Sequence, residues 1–175
     1  RANALAAATA AHAAGADNAA IAAGLAAVTP AAGRLQMRPG PAGSRIIDDS
    51  YNANPASLAA ALETLSASPA PCWLVLGDMA ELGERASQAH AEAGEQARAL
   101  GVSRLFATGE LSAAAVEAFG PGAAWYPDQT ALAQAVQAAL EPGVQVLVKG
   151  SRAARMDRLV AALLRGAATE GRSCC

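Results

Sequence analysis

From residue 45 onward, short apolar runs alternate with longer stretches in which apolar residues recur every three or four positions. The runs are RIID (45–48), CWLVLG (72–77), RLFATG (104–109), AAWYP (123–127) and VQVLVKG (144–150). Helical spacing fills about 55–67, 86–100, 111–118 and 129–140, with a last helix over 155–165. Strand and helix alternating at this interval predict βαβ units, hence an α/β fold: a mostly parallel sheet with helices on both faces. The first 30 residues read differently. Residues 3–14 are almost all Ala with Leu5, stopped by Gly15, and DNAAIAAGLAAV follows with Asp17 as N-cap and Ile21, Leu25 and Val28 on one face. A helical pair is expected there. Between the two parts, RLQM and RIID are β-like pieces joined by the turn RPGPAG. The expected organisation is a helical segment over 1–30, an α/β domain over 31–166 and a disordered stretch over 167–175.

Composition narrows this picture. Of 175 residues, 53% are hydrophobic but only 3% aromatic, and much of the apolar share is Ala. The core must therefore rest on Leu, Val, Ile and close helix approach. A net charge of −2, with no basic run interleaved with aromatics, gives extended nucleic-acid binding little electrostatic support. Cys72, Cys174 and Cys175 form neither a spaced disulfide framework nor a zinc pattern, and Cys72 opens an apolar run as a small core residue would. This usage fits a reducing compartment. With no stretch of about 20 strongly apolar residues and no Leu-rich leader, the expectation is a soluble, cytoplasmic protein.

Polar residues gather at the carboxyl ends of the predicted strands, where open α/β sheets collect ligands. Asp48, Asp49 and Tyr51 follow the first strand, Gly77 and Asp78 the second, Thr108 and Gly109 the third, and Lys149 to Arg152 the last. In DDSYNANPAS, Asn54 reads as an N-cap with Pro55 in the first helical turn. The acids and amides before it exceed what a tight turn needs. Carboxylates beside a helix N-terminus suit a nucleotide or a carboxylated substrate. VLGDMAELGERASQAH repeats the layout with Asp78 and Glu81 as acids; His90 is either a helix-surface residue or a general base. Lys149, Ser151 and Arg152 would grip a carboxylate or phosphate, while Arg155 and Arg158 read as solvated. No GxxxxGK[ST], HExxH, CxxC or GxSxG is present, and no GxGxxG follows the first strand.

DDSYNANPAS, VLGDMAELG followed by His90 and Gly94, the GRL at 33–35, and KGSR followed by Met156 occur in an order that resembles the Mur ligase family. The resemblance runs from residue 1 to about 165 and is strongest to members that add D-alanyl-D-alanine to UDP-N-acetylmuramoyl-tripeptide. It implies the end of a central ATPase domain followed by a C-terminal Rossmann-like domain, acting with upstream ATPase and UDP-binding domains in peptidoglycan precursor synthesis. It also implies ATP and Mg²⁺ as cofactors and an acyl-phosphate intermediate. By position, Asn3, Arg34, Asp49, Tyr51 and Asn52 match ATP-binding residues, with Arg34 and His90 as catalytic candidates. Asn54, Asp78, Lys149, Ser151 and Arg152 fall on the substrate side. The family's phosphate-binding loop, Mg²⁺ ligands and modified lysine have no counterpart in these 175 residues. The chain alone is therefore expected to be inactive, as part of a larger ligase. The competing expectation is a non-catalytic module that binds a nucleotide or docks on a partner.

Overall fold

A computed structural model describes residues 2–29 and 31–170. The chain divides into two compact units, 1–31 and 32–175. The first holds two helices, α1 (Ala2–Ala13) and α2 (Asn18–Ala26), the latter capped by the Asp17 carboxylate on the Ala20 N–H. α2 buries none of its residues, and Leu5 and Val28 are exposed.

The second unit is a six-stranded sheet in the order β1-β2-β6-β3-β4-β5. Its strands are β1 (Gln36–Pro39), β2 (Arg45–Asp49), β3 (Cys72–Gly77), β4 (Arg104–Thr108), β5 (Ala123–Tyr126) and β6 (Gln145–Lys149). All neighbours are parallel except β1 and β2, an antiparallel hairpin closed by a 3₁₀ turn at Pro41–Gly43. The helices are α3 (Pro55–Ser66), α4 (Ala86–Ala99), α5 (Ser112–Phe119), α6 (Gln129–Ala139) and α7 (Met156–Glu170).

Strand alternation divides the core in two. Ile47, Leu74, Leu76, Leu105, Ala107 and Leu147 face α3, α4 and α5. Ile46, Trp73, Val75, Phe106, Val146 and Val148 face α6 and α7. A sheet covered on both sides needs apolar residues at every strand position, which is why its central runs are unbroken. The scarcity of aromatics is met by close approach between helices. A Cβ at Gly94 on α4 would run into the Ala115 carbonyl of α5.

Two boundaries depart from the sequence reading. β1 starts at Gln36, not at Arg34, because Leu35 turns into the left-handed region (φ 48°) and gives its N–H to Asp49. α7 continues through Glu170, past the point where disorder was expected, while 171–175, with Cys174 and Cys175, lie outside the described residues. Cys72 is buried, and burial pushes its thiol up to about 11. No described helix is long and apolar enough to cross a membrane.

Candidate functional site

The chain leaves β2 and β3 toward α3 and α4 on one face of the sheet and leaves β6, which lies between them, toward α7 on the other. Connections that diverge from neighbouring strands open a crevice at their carboxyl ends. Two clefts lie there. One, of about 380 Å³, is lined by Tyr51, Asn52, Asn54, Glu81, Ser151 and Arg152 among others. The second, of about 690 Å³, shares Tyr51 and Arg152 and adds Gly33, Asp48, Arg155 and Asp157.

The floor is a set of polar side chains bonded to one another. Lys149, only 2% exposed, donates from Nζ to Asp49 Oδ2 at 2.6 Å and to the Asn52 carbonyl at 3.0 Å. The other Asp49 oxygen accepts the Leu35 N–H at 3.1 Å. One ion pair thus ties together the ends of β2 and β6, the β2–α3 loop and the entry to β1. Asp78 accepts the Ser112 N–H and Oγ–H at 2.8 and 2.7 Å, supplying the cap that α5 lacks from its own sequence. The Asp78 carbonyl accepts the Ser151 N–H, and the Ser151 hydroxyl accepts the Ala154 N–H. Asn54 forms a capping box with Ser57 at the start of α3, an arrangement that typically contributes about 1 kcal/mol.

These bonds bear on four of the candidate residues. Lys149 is not a free cation for a substrate carboxylate, since Asp49 neutralises it. Asp78 caps α5, and the Ser151 hydroxyl accepts one N–H in the turn before α7 while its O–H stays available to donate in the cleft. His90 is not on the helix surface: it is fully buried, with Nε2 accepting the Met79 N–H at 2.9 Å and Nδ1 2.7 Å from the Ala86 carbonyl. A carbonyl cannot donate, so Nδ1 carries the proton and neither nitrogen is open for proton transfer.

The rim differs. Arg34 lies over the Tyr51 ring, 4.4 Å from its centroid, with both side chains exposed. Gly33 lets this pair form: its carbonyl accepts the Tyr51 N–H, and a Cβ at its φ of 70° would come within 2.9 Å of that nitrogen. Arg152 and Glu81 are exposed in the first cleft, and neither side chain has a hydrogen bond or ion pair among the described residues. Arg155 is not a free cation either, being paired with Asp157, which lowers the Asp157 carboxyl below its usual range. Asn3 stands exposed on α1, in the other unit. Among the described residues no group of three or more His, Cys, Asp or Glu side chains could hold a metal ion. Glu81, read in the sequence with Asp78 as an acid following the second strand, lines the first cleft.

The family model described as "Mur ligase, glutamate ligase domain" matches residues 33–152. The UDP-N-acetylmuramoyl-tripeptide--D-alanyl-D-alanine ligase of Escherichia coli is 41% identical over 164 residues, covering 93% of this chain and 36% of its own length. The enzyme of the same name from Mycobacterium tuberculosis is 38% identical over 93% of this chain and 37% of its own. A crystal structure of MurF from Acinetobacter baumannii superposes with a TM-score of 0.78 at 31% identity, over 89% of this chain and 35% of that one. MurF ligase from Thermotoga maritima in complex with ADP gives 0.71 at 28% identity, over 83% and 34%. The chain thus spans just over a third of the length of these two curated relatives.

Proposed function

Since this chain belongs to the Mur ligase family, we propose that it forms the donor-binding part of an ATP-dependent ligase that joins D-alanyl-D-alanine to UDP-N-acetylmuramoyl-tripeptide. The observation that carries this reading is the unpaired Arg152 guanidinium in a cleft of about 380 Å³ at the carboxyl ends of β2, β6 and β3. A carboxylate is the natural partner of such a group, and the donor dipeptide ends in one. The names of the relatives supply the rest.

In this reaction the tripeptide's terminal carboxylate takes the γ-phosphoryl group of ATP and ADP leaves. The donor amine then attacks the acyl carbonyl, phosphate departs, and the nitrogen gives up a proton to leave an amide. Charge builds on phosphoryl and carbonyl oxygens, so positioning and fixed cations set the rate. On this chain Arg152 orients the donor through its carboxylate. The stacked Arg34 and Tyr51 form the nucleotide side, with Arg34 offering its charge to the phosphates. Asp49 and Asn52 shape that side from below. Mg²⁺ would neutralise nucleotide phosphate charge, held by residues other than those described. Asn3 belongs to the adenine side by its match to the family motif. A cytoplasmic location suits ATP and a nucleotide-linked substrate.

The test is ATP-dependent phosphate release with both substrates, by the chain alone and mixed with the P-loop-bearing part of a Mur ligase. Turnover only in the mixture is expected, because no phosphate-binding loop occurs in these 175 residues. Silence in both, with the chain folded, would favour the non-catalytic module; turnover by the chain alone would overturn the division of labour.

A further inference from the structure

The loop joining β3 to α4 is built to present one residue. Its two ends are clasped by a single buried ring: His90 Nε2 takes the Met79 N–H at one end and His90 Nδ1–H binds the Ala86 carbonyl at the other. Met79 is fully buried and Leu82 packs against the same core cluster, so the backbone between them is held from both sides. Ala80 and Glu81 turn outward into the cleft. Glu81 does so at φ 62°, a left-handed conformation that costs a non-glycine residue about 1–2 kcal/mol and persists only where its surroundings impose it. Its carboxylate has no partner among the described residues. Arg152, with no partner either, lines the same cleft, and no ion pair joins the two.

We infer that Glu81 receives the ammonium group of a zwitterionic donor whose carboxylate is held by Arg152, and that His90 is the positioning residue that keeps Glu81 there. The inference rests on the donor-binding reading above and adds the group that recognises the other end of the ligand. An extended dipeptide spans at most about 7 Å, and both side chains line one cleft of about 380 Å³. The Lys149–Asp49 pair beneath is internally neutral, which leaves Glu81 and Arg152 as the charges that read the ligand. Opposite charges at the two ends set orientation as well as affinity.

The test is a calorimetric or NMR titration of the chain with D-alanyl-D-alanine and with its N-acetyl derivative, which keeps the carboxylate and lacks the cation. Glu81→Gln should raise the Kd for the free dipeptide about tenfold, as expected for a lost charge-assisted contact. The N-acetyl derivative should bind wild type about as weakly, with Glu81→Gln adding nothing further. Equal losses for the two ligands, or an unchanged Kd for the free dipeptide, would overturn the assignment while leaving the Arg152 site standing. If the free dipeptide does not bind wild type at all, the donor-binding reading falls and this inference falls with it. His90→Gln keeps an acceptor for the Met79 N–H and should stay within about twofold of wild type in dipeptide Kd. His90→Asn loses that acceptor; faster amide exchange over 79–86 and a Kd about tenfold weaker are expected. Identical affinities in the two His90 variants would reduce the ring to a structural role.

Discussion

The floor and the rim of the cleft use the same residue types for opposite ends. On the floor, Lys149, Asp49, Asp78 and His90 satisfy one another and the backbone, and Lys149 and His90 are buried. On the rim, the Arg152 and Glu81 side chains have no hydrogen-bond or ion-pair partner among the described residues, and the Arg34 guanidinium lies over the Tyr51 ring. A charge already paired inside the protein stabilises the fold and has little left to offer a ligand. A charge held in place without a partner does the reverse. Position at a strand end places a residue near the cleft, and pairing within the protein separates those that hold the fold from those left open at the rim.

The sharpest way to break this contrast is Lys149→Met. It leaves the Asp49 carboxylate on the floor without its counter-ion, a change expected to cost about 3 kcal/mol of stability in urea unfolding. A loss below about 1 kcal/mol would mean that Lys149 belongs with the rim. Asp78→Ala should cost about 1–2 kcal/mol by uncapping α5, with amide exchange rising first at Leu111 and Ser112. Protection unchanged there would remove Asp78 from the floor. Arg152→Ala marks the other side: stability within about 0.5 kcal/mol of wild type, with a large loss of donor affinity. Tyr51→Leu removes the face under Arg34 and should lower stability in urea unfolding by about 0.5–1 kcal/mol.

Cys72 offers a built-in reporter for these measurements, since it opens β3 at the end of the sheet away from the cleft. Its thiol is raised to about 11, so the folded chain binds a proton there that the unfolded chain releases once pH passes the ordinary thiol range. Stability from this group is therefore present at neutral pH and declines as pH rises through about 9 to 11. With Cys174 and Cys175 replaced by Ser, alkylation of native Cys72 at pH 7 should be slow and should accelerate with each floor substitution, the logarithm of the rate rising in proportion to lost stability. Fast labelling of the folded wild type would show that β3 opens locally.

Much of the architecture was legible because each central strand is a continuous apolar run and α2 and α3 carry local start signals at Asp17 and Asn54-Pro55. The antiparallel β1 was less so: its place depends on Leu35 adopting a positive φ to reach Asp49, a contact 14 residues away that no local pattern announces. The site's neighbourhood could be read for the same reason as the strands, since its polar residues follow them directly. Their division of labour could not. Lys149 meets Asp49 across 100 residues of chain, Asp78 meets Ser112 across 34, and His90 faces inward because the loop before α4 folds back over it. Pairing at such distances is a property of the packed sheet. In the sequence, a paired lysine and a free arginine three residues apart look alike.

The most direct test is the kinetics of phosphate release with Arg152→Ala, in the mixture that contains the P-loop-bearing part. The account predicts a KM for D-alanyl-D-alanine raised about tenfold or more, with the KM for ATP unchanged and the variant as stable as wild type. Equal shifts in both constants, or none in either, would contradict the claim that the unpaired rim of this cleft is where the donor binds.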